Sequence, residues 1–215
     1  MFKKILPTII TEHQSAFVKN RLISDNILVA FESLNNMKNM GSGKTRYMAI
    51  KLDMSKAYDW VEWGYLENVM RKMGFNERWI GLIMVCVKTV TYSIMVNSEP
   101  QGLIHPTRGI RQGDPLSPFL FFLCIEGLHG LIQHAASAGD IKDFSLCRRG
   151  PALTHLLFAD DSLLFCRAMG DECRKIMEIL ETYEVASGQK VNKSKTAIFF
   201  SKSTVEAIKQ EIKEG

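Results

Sequence analysis

The sequence lacks the features that would assign it to several common protein classes. Its cysteines number five and include no CxxC pair, so we predict no zinc site and expect reduced thiols in an intracellular protein. The most apolar run, over 119–125, is interrupted by Glu126 and falls short of the ~20 residues that span a bilayer. We therefore expect a buried helix there and no membrane partner. The basic N-terminus precedes too short an apolar stretch for a secretory signal.

A strong excess of charge is also missing, since the formal net charge is +4 at pH 7. That balance permits a polyanionic partner without requiring one. With 46% apolar and 23% charged residues, the composition is that of an ordinary globular protein and excludes a disordered chain. The length of 215 residues suits one domain or a domain with part of a second.

The first half of the sequence predicts helices around one strand. The segment up to about residue 40 has a helical pattern that places Ile27, Leu28, Phe31 and Leu34 on one face. A strand is predicted over 47–53, with alternate apolar residues on one side. Asp59 and Glu62 have capping-box spacing, which predicts a helix that Asp59 caps and that stops at Gly74.

The second half predicts two hairpins and further helices. In chain order we expect a helix over 77–88, a hairpin over 92–107, a helix from Ser117, a hairpin over 153–166, a helix over 171–187 and a strand over 195–200. This order predicts an α+β fold, with a mostly antiparallel sheet and helices on one face.

Two adjacent carboxylates, Asp160 and Asp161, lie at the tip of the apolar second hairpin. Like charges so close together repel, and a divalent cation would relieve that repulsion. An ordinary turn is an equal alternative, because aspartate is common in turns. Asp53 favours the metal, since a strand end beside a hairpin tip can bring three carboxylates to one rim, although Asp53 can also be read as a turn residue. Hard oxygen ligands of this kind suit magnesium.

The loop over 108–118 is the third candidate. Its glycines allow close approach of a ligand to the backbone, and its arginines suit phosphate groups. Alone, the loop is an unremarkable connection to a helix. Together with the carboxylates, Arg111, Gln112 and Gly113 indicate a platform for a nucleotide and a template.

Four segments in this order resemble the palm motifs of reverse transcriptases, particularly those of plant non-LTR retrotransposons of the LINE type. They are Leu52-Asp53-Met54-Ser55-Lys56-Ala57-Tyr58-Asp59, Arg111-Gln112-Gly113-Asp114-Pro115, Phe158-Ala159-Asp160-Asp161, and Ser187-Gly188-Gln189-Lys190 continued to Lys195. The segment from Gln14 to Arg21 and the run Asp25-Asn26-Ile27 resemble the stretch that precedes the palm in that family. The resemblance covers about 190 residues.

The resemblance implies a split βαβ palm with part of the fingers. Residues 1–46 would be a fingers-side helical segment, 47–201 the palm, and 202–215 the start of a connection toward a thumb. Such an enzyme is an RNA-directed DNA polymerase whose partners are an RNA template, a DNA primer and deoxynucleoside triphosphates. The family also implies a nuclear location.

The resemblance further implies a role for each candidate residue. Asp53, Asp160 and Asp161 would hold two Mg²⁺ ions, for which Mn²⁺ could substitute. Tyr58 would exclude the ribose 2′-hydroxyl, and Arg111, Gln112 and Gly113 would contact the nucleotide and template. Lys195 would protonate the departing pyrophosphate, although a solvated surface lysine is an equal alternative.

Three rival functions share part of this pattern. RNA polymerases of this fold use the same metals but carry a small polar or acidic residue where Tyr58 stands. Intron maturases have overlapping palm motifs. A truncated and catalytically dead remnant would at most bind nucleic acid. Because the matched segments begin after the family's triphosphate-binding fingers motif and no thumb follows, we expect the chain alone to polymerise poorly.

Overall fold

A computed structural model describes residues 2–16, 18–41, 45–147, 150, 152–159 and 161–214. Its helices are α1 (Phe2–Ile9), α2 (Ile23–Asn39), α3 (Trp63–Lys72), α4 (Glu77–Lys88), α5 (Ser117–Ala138), α6 (Gly170–Ser187) and α7 (Glu206–Glu214). Its strands are β1 (Tyr47–Ser55), β2 (Tyr92–Val96), β3 (Glu99–Ile104), β4 (His155–Phe158), β5 (Asp161–Arg167), β6 (Lys190–Val191) and β7 (Ala197–Phe200).

The main sheet is antiparallel and is built around β1. On one edge β1 pairs with β5, which in turn pairs with β4, and on the other edge it pairs with β7 and then with β6. Helices α3, α5 and α6 cover one face of the sheet. The predicted α+β palm is therefore confirmed.

The core lies between that face and the helices. Even-numbered residues of β1 (Met48, Ile50, Leu52 and Met54) are at most 5% exposed and pack against α5, of which residues 120–125 are buried. By length and composition α5 could also cross a membrane, but half of its most apolar stretch is buried within this core. Its apolar character is thus explained by its central position under the sheet.

Helix α2 differs from its sequence pattern. The predicted apolar face is turned outward, with Ile27, Leu28 and Phe31 more than half exposed. Its buried residues are Asn26, Ser33 and Met37, and Met37 packs on the second face of the sheet. The helix faces this way because Asn26 donates hydrogen bonds to the carbonyls of His13 and Leu157.

The predicted capping box is wrong. Asp59 lies in a turn over 56–60, and α3 begins four residues later with Glu62 at its N-cap position and no side-chain cap. Strand β1 also extends two residues beyond Asp53, to Ser55, so Asp53 does not end it. The first hairpin is tighter than predicted, because its turn is Asn97-Ser98 and β3 begins at Glu99.

Candidate active site

The candidate site begins with two carboxylates that face each other across the centre of the sheet. Asp53 of β1 is the direct register partner of Asp161 of β5. Side chains of directly opposed residues lie on the same face of an antiparallel pair, with Cβ atoms roughly 5 Å apart. Both are partly exposed, on the face opposite the α5 core. The structure thus brings together two of the three predicted carboxylates, and Asp160 lies outside the described residues.

Each of these carboxylates has a lysine beside it. The Nζ atom of Lys51 is 3.3 Å from Asp161 Oδ1. The Nζ atom of Lys195 is 3.8 Å from Asp53 Oδ2. Lys195 was predicted as a site residue, whereas Lys51 was not, although its position two residues before Asp53 on a strand was a signal for a shared face.

A cleft of about 590 Å³ opens beside Asp53. Its lining includes four residues that were predicted from three motifs: Asp53, Tyr58, Gln112 and Lys195. Arg111 and Gly113 belong to the same turn as Gln112 but lie outside this lining, so only part of the predicted platform faces the cleft. Sequence reasoning missed Asn192, which lines the cleft and donates its backbone N–H to the Asp53 carbonyl at 2.8 Å.

The ring of Tyr58 lies flat against the core helix. It stacks on Phe121 of α5 at a centroid distance of 4.9 Å and an angle of 18°. Its backbone carbonyl accepts a hydrogen bond from Ile110 N at 2.9 Å. The ring is therefore a fixed wall of the cleft, since both its backbone and one ring face are held.

The loop over 56–62 is fastened from two sides. On one side, Gly109 donates its N–H to Val61 O at 2.8 Å, and Trp63 Nε1 donates to Gly109 O at 2.7 Å. Gly109 has φ +88°, and a Cβ atom there would come within 2.5 Å of Asp59 O. Only glycine fits this approach, which explains the glycine of the Arg108-Gly109 pair.

The second fastening comes from the segment after α6. The buried Gln189 donates from Nε2 to Ala57 O at 2.7 Å and accepts a hydrogen bond from the Tyr183 hydroxyl. Burial raises the pKa of Tyr183 well above its usual value, so the hydroxyl remains a neutral donor. The Ser187 carbonyl accepts from Glu62 N at 2.8 Å. The fourth motif thus positions the Tyr58 loop through Gln189.

The N-terminal segment supports the hairpin tip from the outer edge. Gln14 forms a parallel bridge with Leu157, and its Oε1 accepts from Ala159 N at 3.4 Å. Arg21 donates to the carbonyls of Ile10 and Gln14 at 3.0 and 2.7 Å. These residues of the upstream resemblance hold the backbone next to Asp160.

The residues beside the cleft include oxygen donors that suit a metal ion. No group of three histidine, cysteine or acidic residues suited to a metal occurs within the described ranges, which leave out Asp160. Asp53 and Asp161 supply two hard oxygen donors on one face, and Asp160 directly precedes Asp161 in the sequence. Carboxylate oxygens of this kind fit Mg²⁺.

Comparison with known proteins identifies the relatives of this arrangement. The family model described as reverse transcriptase (RNA-dependent DNA polymerase) matches residues 1–212. The chain is 26% identical over 197 residues to the transposon TX1 149 kDa protein of Xenopus laevis, covering 91% of this chain and 14% of that protein. It is 30% identical over 122 residues to the Pol polyprotein of the type-1 retrotransposable element R2 of Popillia japonica, covering 57% and 19%.

The chain is also similar to part of a further curated protein and, in fold, to two solved structures. An uncharacterized mitochondrial protein of Arabidopsis thaliana is 50% identical over 68 residues, 32% of this chain and 56% of that protein. Apo telomerase from Candida tropicalis has a TM-score of 0.62 at 14% identity, over 94% of this chain and 36% of that chain. Telomerase from Candida albicans, in complex with a fragment of telomeric RNA, has a TM-score of 0.59 at 15% identity, over 86% and 31%. The chain thus spans about half or less of each relative's length.

Proposed function

Because the chain belongs to the reverse transcriptase family, we propose that its cleft adds deoxynucleotides to a primer 3′-hydroxyl on an RNA template with the help of two Mg²⁺ ions. The predicted likeness to retrotransposon reverse transcriptases is confirmed by the TX1 and R2 relatives. The observation that carries the proposal is the opposition of Asp53 and Asp161 beside the cleft that contains Tyr58, Gln112 and Lys195.

Each group of residues at the cleft would have a separate role in this reaction. Asp53 and Asp161, with Asp160, would hold the metal ions. When bound, those ions would favour ionisation of the primer hydroxyl and offset the charge of the triphosphate. Lys195, whose Nζ atom is 3.8 Å from Asp53 Oδ2, would give a proton to the departing pyrophosphate. Ile110 donates its N–H to the Tyr58 carbonyl, and the residues directly after it, Arg111, Gln112 and Gly113, would contact the nucleotide and template.

Tyr58 would select the sugar. The ring is held against Phe121 and lines the cleft, so a ribose 2′-hydroxyl at that wall would meet a rigid obstacle. This favours DNA synthesis over RNA synthesis. Replacing Tyr58 with Val should raise ribonucleotide incorporation relative to deoxynucleotide incorporation by about tenfold or more, whereas Tyr58→Phe should keep the discrimination. Equal discrimination by the Val variant in single-turnover assays would exclude this role.

The main experiment is single-nucleotide extension of a DNA primer on an RNA template, with enzyme in excess. Asp53→Asn, Asp160→Asn and Asp161→Asn should each reduce Mg²⁺-dependent extension by at least about a hundredfold, because charge stabilisation of the transition state is lost. Asp143→Asn, which changes an exposed aspartate away from the cleft, is the matched control. Near-normal extension by Asp53→Asn would contradict the proposal.

A further inference from the structure

The two opposed carboxylates do not share one cation. Asp161 is next to Lys51 and Asp53 is next to Lys195, at 3.3 and 3.8 Å. Two negative and two positive side chains therefore alternate on one open patch of the sheet. The formal charges of these four described side chains sum to zero.

The position of Lys51 follows from strand geometry. It lies two residues before Asp53 on β1, so both side chains lie on the same face of the sheet. Its direct partner across β5 is Leu163, and Asp161 is its diagonal neighbour. A long side chain spans that diagonal readily. More than half of the Lys51 side chain is exposed, so its ammonium can leave Asp161 for solvent without a large penalty.

We propose that Lys51 is a positioning residue that occupies Asp161 when no divalent metal is bound and so sets the metal concentration at which the carboxylate site fills. The proposal rests on the function proposed above. An ammonium and a metal ion at one carboxylate compete for the same negative charge, and the two cations repel each other at close range. We therefore expect metal binding to draw Lys51 away from Asp161.

Two consequences separate this role from ordinary surface pairing. Removing the ammonium should make metal binding tighter, because a competitor is lost. It should also make the metal-free protein slightly less stable, because Asp53 and Asp161 then repel with one cation fewer. A residue that served only to hold the strands together would produce the second effect without the first.

The test is direct binding of Mn²⁺ to the purified 215-residue chain, measured by the loss of the free-ion signal in electron paramagnetic resonance. Lys51→Met should bind Mn²⁺ about two- to fivefold more tightly than the wild type, the range expected for an exposed ion pair. Lys51→Arg should restore the wild-type affinity. Lys202→Met removes an exposed lysine elsewhere and should change nothing.

Asp53→Asn distinguishes this inference from the proposed function. If Asp53-dependent Mn²⁺ binding is found but Lys51→Met equals the wild type or binds more weakly, the role of Lys51 is wrong and the metal site stands. If the wild type shows no Asp53-dependent binding, the metal site is wrong and the inference fails with it. Thermal unfolding gives a second readout, since Mn²⁺ should stabilise Lys51→Met more than the wild type.

Discussion

The two faces of strand β1 have opposite characters. Facing the helices, Met48, Ile50, Leu52 and Met54 are almost completely buried. Facing the other way near the end of the strand, Lys51, Asp53 and Ser55 are wholly or partly exposed, and the first two carry charges that pair with neighbours. Neighbouring residues of β1 therefore belong to different parts of the molecule: one to the buried core and the next to the candidate active site.

This difference shows how the fold fixes the site. Successive side chains of a strand alternate between faces, so a register shift of one residue would bury Asp53 and expose Leu52. Such a shift is unfavourable because the apolar face of β1 is packed against α5. The opposition of Asp53 and Asp161 is therefore maintained by the buried residues on either side of Asp53 in β1, Leu52 and Met54.

The largest expected effect comes from the buried face. Leu52→Ala should lower the free energy of unfolding by about 2–5 kcal/mol, because it removes a fully buried side chain and leaves a cavity. Lys51→Ala, one residue earlier on the open face, should cost about 1 kcal/mol or less. Urea unfolding of both variants measures the contrast. Similar losses of stability in the two variants would show that the two faces of β1 do not differ in this way.

A second pair of variants tests how tightly the Tyr58 loop, over 56–62, is held in place. Gly109 and Gly113 both have positive φ angles, +88° and +85°, but only at Gly109 would a Cβ atom meet backbone, the Asp59 carbonyl. Both alanine substitutions should cost about 1 kcal/mol from backbone strain. Gly109→Ala should cost about 1–2 kcal/mol more and disturb the Tyr58 loop. Equal stabilities would show that the loop is not tightly held there.

The helix-facing side should also respond to acid. Three histidines meet there, His13, His129 and His155, with His129 Nδ1 and His155 Nε2 at 2.9 Å. Burial lowers the pKa of all three, that of His129 to about 4. Between pH 6.5 and 4 these histidines are protonated in the unfolded chain but remain neutral in the folded protein. The free energy of unfolding therefore decreases as the pH is lowered through this range.

Glu126 acts in the opposite direction over part of that range. Burial raises its pKa to about 7, so the folded protein keeps a proton that the unfolded chain loses between pH 4.5 and 7. Glu12 and Arg21 are the other charged groups that affect this cluster. With three histidines against one carboxyl, we expect a net loss of stability from pH 6.5 to 4. His129→Phe should reduce that slope in urea unfolding, and an unchanged slope would exclude the cluster as its source.

Much of the fold was predictable because its signals are local. The helix over 77–88 and the end of α6 at Gly188 follow directly from apolar spacing and from a glycine with φ +77°. The helix face of α2 was not predictable, since its orientation is set by hydrogen bonds from Asn26 to backbone that is distant in sequence. The start of α3 was missed for a similar reason, because the turn before it is held by Gly109 and Gln189.

The site was predictable where the motifs themselves contribute its side chains. Asp53, Tyr58, Gln112 and Lys195 come from three motifs, and the structure places them in one cleft. The residues that hold them were not identified as such. Gln14, Gln189 and Asn192 act on backbone groups, and the sequence does not indicate which carbonyl or N–H an amide will meet.

The most direct test of the central claim is to locate the bound metal. Fe²⁺ placed in the Mg²⁺ site generates hydroxyl radicals with ascorbate and peroxide, and these cut the backbone beside the metal. If Asp53 and Asp161 hold the metal, cuts should appear near Asp53 and at the turn between β4 and β5. Excess Mg²⁺ should suppress these cuts, Asp53→Asn should abolish them and Asp143→Asn should keep them. Cuts at other positions, or the same cuts in Asp53→Asn, would contradict this assignment.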